Sequence, residues 1–272
     1  MENRNSGMGN VMLVLVMLIG VFLVGFLIFG NTAKDPFGPR LSAKPAPDQV
    51  LQMLKDGNER FLAGKSAHPT CDPARISLAS KSDQGHYAYA TVLSCSDSRV
   101  PVELIFDAGI MDLFVVRVAG NVCDTDEIGS IEYGLAHVKT PVLVVLGHTL
   151  CGAVTAVSQA VGGHGHKLER NIPSLVDNIA PAVKRAMEQH PDLHGDAIVP
   201  YAIEENVWQS VEDLFMKSPA VRDLHKSGKA LVTGAIYDLS TGKVNWLPQD
   251  KIGDILQRVE ASPDRETEEF AN

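Results

Sequence analysis

The chain has 272 residues, of which 45% are hydrophobic and 21% are charged, a balance typical of a globular protein. Its net charge of −9 and its lack of a dense Lys/Arg cluster argue against a nucleic-acid partner. The four cysteines are too few for a disulfide scaffold, so their positions matter more than their number.

The first element along the chain is an uncharged apolar run of nineteen residues, Val11 to Phe29. A helix rises about 1.5 Å per residue, so this run nearly matches a hydrocarbon core of roughly 30 Å. A secretory signal has a shorter apolar region of about 7–15 residues, followed by a cleavage site of small residues. Residues 30–34 form a poor cleavage site. We therefore expect residues 1–30 to be an uncleaved membrane anchor, with a cleaved signal as the alternative.

The orientation of this anchor depends on the charges on either side of it. A positive-inside count over Arg4, Lys34, Arg40 and Lys44 slightly favours a cytoplasmic C-terminal side. Large domains behind an N-terminal anchor are nevertheless commonly exported, so we expect the rest of the chain to be periplasmic or otherwise extracytoplasmic. Residues 31–47 contain four prolines and predict an extended linker between the membrane and this domain.

Helices and strands alternate after the linker. Asp48 is predicted to cap a helix that ends near Leu62, and residues 64–86 are predicted to be mostly loop. Strands are predicted at 87–94, 112–118, 141–146 and 230–238, and helices at 126–138, 152–161, 175–189 and 203–217. Residues 243–247 are predicted to form a hairpin with the last of these strands.

Strands separated by helices predict parallel pairing with right-handed crossovers. We therefore expect one α/β domain over residues 48–260, with a mainly parallel central β-sheet flanked by helices. The β-branched run at 141–146 is typical of a strand that is buried on both faces. Residues 261–272 are predicted to be an acidic C-terminal tail.

Cysteine and histidine side chains follow two of the predicted strands. Cys95 follows the first strand, and His148 and Cys151 follow the strand at 141–146. In open parallel sheets reactive residues gather at the carboxyl ends of strands, so these three are expected to meet. Two thiolates and one imidazole suit zinc, with a fourth position left for water. The alternatives are two buried apolar cysteines, or a Cys95–Cys151 disulfide in an exported domain.

Two charged residues lie close to Cys95 in sequence. Asp97 can bind a metal directly or accept a proton from metal-bound water. Arg99 can hold that carboxylate in a bidentate pair and lower its pKa. The alternative is a surface ion pair without a function. The other two cysteines, Cys71 and Cys123, are not at ligand spacing and are predicted to be packed thiols.

Four blocks of sequence share a resemblance to one family. They are CSDSRVP at 95–101, FVVRVAGN at 114–121, IEYGLAHVKTPVLVVLGHTLCGAV at 131–154 and IPSLVDNIAPAV at 172–183. With them the chain resembles the β-class carbonic anhydrases, over about residues 48–255. The resemblance implies a lyase that reversibly hydrates CO2 to bicarbonate and a proton by a zinc-bound hydroxide.

The resemblance also implies residue roles and an assembly. Cys95, His148 and Cys151 would be the ligands of one Zn²⁺ per chain, and Asp97 with Arg99 would form the catalytic dyad. In a closed, low-pH form Asp97 would itself bind the metal. The family's unit is a dimer that often pairs into tetramers, so the chain is expected to be a homodimer or homotetramer.

The chain departs from the family at Ala108, where many members have glutamine, and at Met111, where a small residue is frequent. Loss of the glutamine amide is expected to weaken the orientation of a bound oxyanion by about 1 kcal/mol or more. Two other functions therefore stay open. One is a related zinc hydrolase that acts on carbonyl sulfide or carbon disulfide, and the other is a catalytically silent zinc-binding scaffold.

Overall fold

The computed structural model describes residues 44–165 and 167–270. The predicted anchor at 1–30 and most of the linker lie outside these residues. Among the helices that are described, none has both the length and the apolar character that a membrane span requires.

A five-stranded sheet runs through the described part of the chain, in the order β2-β1-β3-β4-β5. Its strands are β1 Ala90–Cys95, β2 Leu113–Val118, β3 Val142–His148, β4 Leu231–Tyr237 and β5 Val244–Trp246. β1 is parallel to β2 and β3, β3 is parallel to β4, and only β5 runs antiparallel. The mainly parallel sheet and its terminal hairpin are therefore confirmed.

Helices connect these strands and cover the sheet. They are α1 Pro47–Leu62, α2 Pro73–Ala79, α3 Val102–Ile105, α4 Thr125–Glu132, α5 Gly152–Gln159, α6 Pro173–Gln189, α7 Val199–Lys217, α8 Pro219–Lys226 and α9 Asp250–Ala261. Short 3₁₀ or π turns lie at Gln84–His86, Ala119–Asn121, Tyr133–His137, Ala160–His164 and Gly195–Ile198.

The core lies on both faces of the sheet because alternate strand residues point to opposite sides. Leu93 of β1 packs in a cluster with residues of α4, α7 and α9. Val92, its neighbour in sequence, packs in a second cluster with residues of α1 and α3. All seven residues of β3 are buried, which confirms the prediction of a strand covered on both faces.

One local prediction is wrong. α1 begins at Pro47, so Asp48 lies in its first turn and does not cap it. A carboxylate there still stabilises the positive end of the helix dipole. Residues 64–86 are mostly loop, as predicted, but they also contain α2 and a 3₁₀ turn. Asp72 caps α2, since its side chain accepts a hydrogen bond from the Arg75 N–H at 2.7 Å.

The two cysteines that were predicted to be packed thiols have different environments. Cys123 is buried in the core cluster beside α4 and α7, as predicted. Cys71 is exposed, so the prediction is wrong there.

Candidate active site

Three potential metal ligands meet at the carboxyl end of the sheet. Cys95 ends β1, His148 ends β3, and Cys151 directly precedes α5. β1 and β3 pair in parallel register through Ser94 and Leu146, so their ends coincide. The two sulfur atoms and the imidazole nitrogen all lie within 4.8 Å of one another, and all three residues are buried. The two sulfurs belong to free cysteines, so no disulfide takes their place.

The imidazole of His148 is oriented to bind a metal. Its Nδ1 lies 2.9 Å from the carbonyl oxygen of Thr149. A carbonyl oxygen can only accept a hydrogen bond, so Nδ1 carries the proton and Nε2 presents its lone pair. Nε2 is buried and has no hydrogen-bond partner among the described residues. One imidazole lone pair beside two sulfurs is a donor set that fits zinc.

The two sulfurs shift each other's pKa in opposite directions. The hydrogen bond with Cys151 lowers the pKa of the Cys95 thiol to about 4, and the same bond raises the pKa of the Cys151 thiol. The backbone N–H of Gly120 also donates to the Cys95 sulfur, at 3.3 Å. Metal binding requires deprotonated cysteine ligands, and a lowered pKa at Cys95 favours the thiolate.

Asp97 and Arg99 form a bidentate pair beside these ligands. The Arg99 Nε donates to Asp97 Oδ1 at 2.9 Å, and its Nη2 donates to Oδ2 at 2.6 Å. These hydrogen bonds hold the pKa of Asp97 well below its usual range. Asp97 Oδ2 lies 4.0 Å from Nε2 of His148, which puts the carboxylate at the edge of the ligand cluster.

A backbone contact ties this pair to the loop between the other two ligands. Arg99 Nη2 donates to the carbonyl oxygen of Leu150 at 3.1 Å, in the loop between His148 and Cys151. Leu150 has a φ of 55°. This left-handed backbone is uncommon for a residue other than glycine and often marks a functional loop.

Arg117 on β2 is a further part of the site, and the sequence interpretation did not include it. Its Nε donates to the carbonyl oxygen of Cys95 at 3.0 Å, and its Nη2 donates to that of Asp97 at 2.7 Å. Arg117 therefore fixes the backbone between a candidate ligand and the carboxylate. The position of Arg117 in the sequence is consistent with this role, because it lies near the carboxyl end of a strand that neighbours β1.

Ala108 is buried in the loop that follows α3 and is not part of the ligand cluster. The loop is held by Asp107, whose carboxylate accepts hydrogen bonds from Arg60 at 2.6 Å and from the N–H groups of Ala67 and His68, both at 3.0 Å. Met111 has a φ of 67°, a conformation that favours glycine. The effect of Ala108 on an oxyanion stays a prediction.

Comparison with known proteins identifies the family. A family model described as carbonic anhydrase matches residues 90–244. The chain is 35% identical to Carbonic anhydrase 2 of Mycobacterium tuberculosis over 214 residues, which cover 78% of this chain and 98% of that protein. It is 34% identical to the carbonic anhydrase of Mycolicibacterium smegmatis over 209 residues, which cover 77% and 96% of the two chains.

Solved structures agree on the fold. The β-carbonic anhydrase CafA of Aspergillus fumigatus aligns with a TM-score of 0.57 at 24% identity, covering 78% of this chain and 99% of that one. The β-carbonic anhydrase CcaA aligns with a TM-score of 0.56 at 25% identity, covering 72% and 86%. The chain belongs to the β-carbonic anhydrase family.

Proposed function

We propose that this chain is a carbonic anhydrase that reversibly hydrates CO2 to bicarbonate and a proton, with one Zn²⁺ held by Cys95, His148 and Cys151. The observation that carries this proposal is the meeting of two sulfurs and an imidazole nitrogen within 4.8 Å, in a chain of this family. When bound, zinc would supply Lewis acidity that lowers the pKa of a bound water to about 7, which gives a hydroxide nucleophile at neutral pH.

Asp97 is proposed to orient the nucleophile and Arg99 to hold Asp97 in place. The bidentate bonds from Arg99 keep the carboxylate ionised and fix its plane. A carboxylate whose pKa lies below the usual range is a weak base. Its role near neutral pH is therefore to accept a hydrogen bond from the nucleophile. This bond directs a lone pair of the nucleophile at the substrate.

We further propose that Asp97 can leave Arg99 and bind the metal at low pH, which would close the site. The short distance of 4.0 Å between Asp97 Oδ2 and His148 Nε2 supports this role, because a small movement would bring the carboxylate into the ligand cluster. X-ray absorption of the zinc-loaded chain at low and neutral pH tests it. A carboxylate signature in the metal's coordination shell at low pH, in place of water, is expected in the wild type but not in Asp97→Asn, and its absence from the wild type would refute the closed form.

Activity after removal and return of the metal tests the proposed reaction. The full-length chain, stripped with a chelator, should lose CO2 hydration in stopped flow and regain it with about one equivalent of Zn²⁺ per chain. A parallel assay with carbonyl sulfide separates this reaction from that of a related hydrolase. Zinc binding without turnover of either substrate would instead indicate a silent scaffold.

We propose that the chain assembles as a homodimer or homotetramer. Within the described residues β2 has a strand neighbour on one side only, and its side chains are partly exposed. Unpaired edge strands of this kind commonly pair with another chain or are covered by one. A solved relative from Sordaria macrospora is described as tetrameric. Sedimentation velocity of the purified chain measures the assembly directly, and a monomer at micromolar concentration would exclude it.

We propose that residues 1–30 anchor the chain in a membrane, with the enzyme domain on the extracytoplasmic side. The support is the uncharged run from Val11 to Phe29. A C-terminal alkaline phosphatase fusion is expected to be active, because that enzyme folds only after export. An inactive phosphatase, together with an active cytoplasmic reporter fused at the same position, would instead place the enzyme domain on the cytoplasmic side.

A further inference from the structure

A turn after β2 connects the Cys95 sulfur to helix α7. Gly120 and Asn121 are consecutive residues with positive φ, at 74° and 44°. The N–H of Gly120 donates to Cys95 Sγ at 3.3 Å. Two consecutive residues in the left-handed region are uncommon, so this turn depends on support from its surroundings.

Helix α7 provides that support through two buried side chains one turn apart. Asn206 Nδ2 donates to the carbonyl oxygen of Gly120 at 2.7 Å. Ser210 Oγ lies 2.8 Å from the carbonyl oxygen of Asn121 and 2.9 Å from that of Asn206, and its single proton is available to either acceptor. Asn206 and Ser210 are each 1% exposed, so water does not compete with these bonds.

Gly120 suits this turn because its φ of 74° is a conformation that favours glycine, and its surroundings are tightly packed. A Cβ atom at position 120 would lie 2.7 Å from Cδ1 of Ile179 and 3.2 Å from Cβ of Ala153. The backbone of Gly120 therefore lies close to α5 and α6 as well as to the Cys95 sulfur.

A backbone N–H beside a thiolate makes a charge-assisted hydrogen bond and withdraws electron density from the sulfur. Groups that contact metal ligands in this way tune both the affinity for the metal and its electronic state. We propose that Asn206, with Ser210, is a positioning residue for the metal centre, because it holds the Gly120 N–H on the Cys95 thiolate. This inference rests on the proposed zinc site.

The experiment compares the full-length wild type with Asn206→Ala and Ser210→Ala. Asn58→Ala is the matched control, because Asn58 is also a buried asparagine, and its Nδ2 donates to two carbonyl oxygens, those of Ile105 at 3.2 Å and Gly242 at 3.0 Å. Asn58 packs on the opposite side of the sheet from α7. Zinc affinity is measured by competition with a chelator. The thiolate-to-metal charge-transfer absorption is measured in the Co²⁺-substituted proteins.

Asn206→Ala is expected to weaken zinc binding by about 10- to 100-fold. Its charge-transfer band should move to longer wavelength, because a thiolate without the N–H bond is more easily oxidised. Ser210→Ala should shift both quantities in the same direction by less. Asn58→Ala should lower thermal stability while leaving the affinity and the band as in the wild type.

Two results would overturn the inference. One is an unshifted band and wild-type affinity in Asn206→Ala, or in Ser210→Ala if Asn206→Ala does not fold. The other is an equal shift in Asn58→Ala, which would reduce the role of Asn206 to general stability. A wild-type chain that binds neither metal would instead refute the proposed zinc site, so the two failures are distinguishable.

Discussion

At the scale of single residues, the site separates groups that hold a metal from groups that orient the reaction. The Asp97 carboxylate lies outside the cluster of three ligand atoms and has both of its oxygens bonded to Arg99. Its pKa lies well below the usual range because of these bonds. Asp97 is thus ionised throughout the neutral range, so a change of pH near 7 does not alter its charge.

Replacing Asp97 by Asn or Arg99 by Ala is expected to leave zinc bound and to lower CO2 hydration by about 10-fold or more, because misorientation of a reacting group costs up to about 100-fold. The physical reason is the loss of an oriented acceptor beside the metal ligands. Stopped-flow hydration, together with the zinc content of each variant, checks this expectation. Turnover near that of the wild type would remove the pair from the mechanism.

Arg117 acts on the same segment from the strand next to β1. Arg117→Lys is expected to retain zinc and to lower hydration by about 10-fold, since a single ammonium group does not match two carbonyl oxygens in a fixed fork geometry. Arg258→Lys is a suitable control, because Arg258 is largely exposed and lies 3.6 Å from Glu212. Equal activity in the two variants would show that Arg117 is not needed to fix the backbone between Cys95 and Asp97.

At the scale of elements, helices α6 and α7 are joined by a chain of polar contacts. Arg185 of α6 bonds Glu205 at 3.1 Å and Gln209 at 2.6 Å, both on α7. Gln209 in turn donates to Asp213 at 2.7 Å. Burial raises the pKa of Asp213 to about 6 from the usual 3.8, and the hydrogen bond from Gln209 opposes that shift only in part.

This shift has a defined effect on stability. Between about pH 4 and pH 6 the folded chain binds more protons at Asp213 than the unfolded chain does, so the free energy of unfolding falls as the pH rises through this window. Asp213→Asn removes the titration and keeps a polar group beside Gln209.

Above pH 6 the free energy of unfolding of Asp213→Asn is therefore expected to exceed that of the wild type by up to about 3 kcal/mol. Below pH 4 the difference should be smaller. Urea unfolding of both proteins from pH 4 to pH 7 measures the difference. A constant difference across this range would contradict the account.

Elements with a strong sequence pattern could be predicted, and others could not. The β-branched run at 141–146 predicted β3, because a strand buried on both faces needs apolar residues at every position. The helix α2 was missed because it is only seven residues long and lies among turn-forming residues. α9, at 250–261, was also missed, although it buries Ile252, Ile255 and Val259 at helical spacing.

At the scale of the whole molecule, the site forms because the parallel sheet brings distant segments together. Cys95 and His148 were identified from sequence because the carboxyl ends of parallel strands share one edge. Gly120 and Asn206 are 86 positions apart and could not be paired in this way. Their contact depends on how α7 packs against the turn after β2, and no local spacing encodes that packing.

The central claim is that Cys95, His148 and Cys151 together hold one zinc ion. The measurement that tests it most directly is the metal content, by mass spectrometry, of the purified full-length wild type, Cys95→Ser, His148→Ala and the control Cys71→Ser, whose cysteine is exposed. About one zinc per chain is expected in the wild type and in Cys71→Ser, and almost none in the other two. Full zinc retention in Cys95→Ser and His148→Ala would contradict the assignment of these ligands.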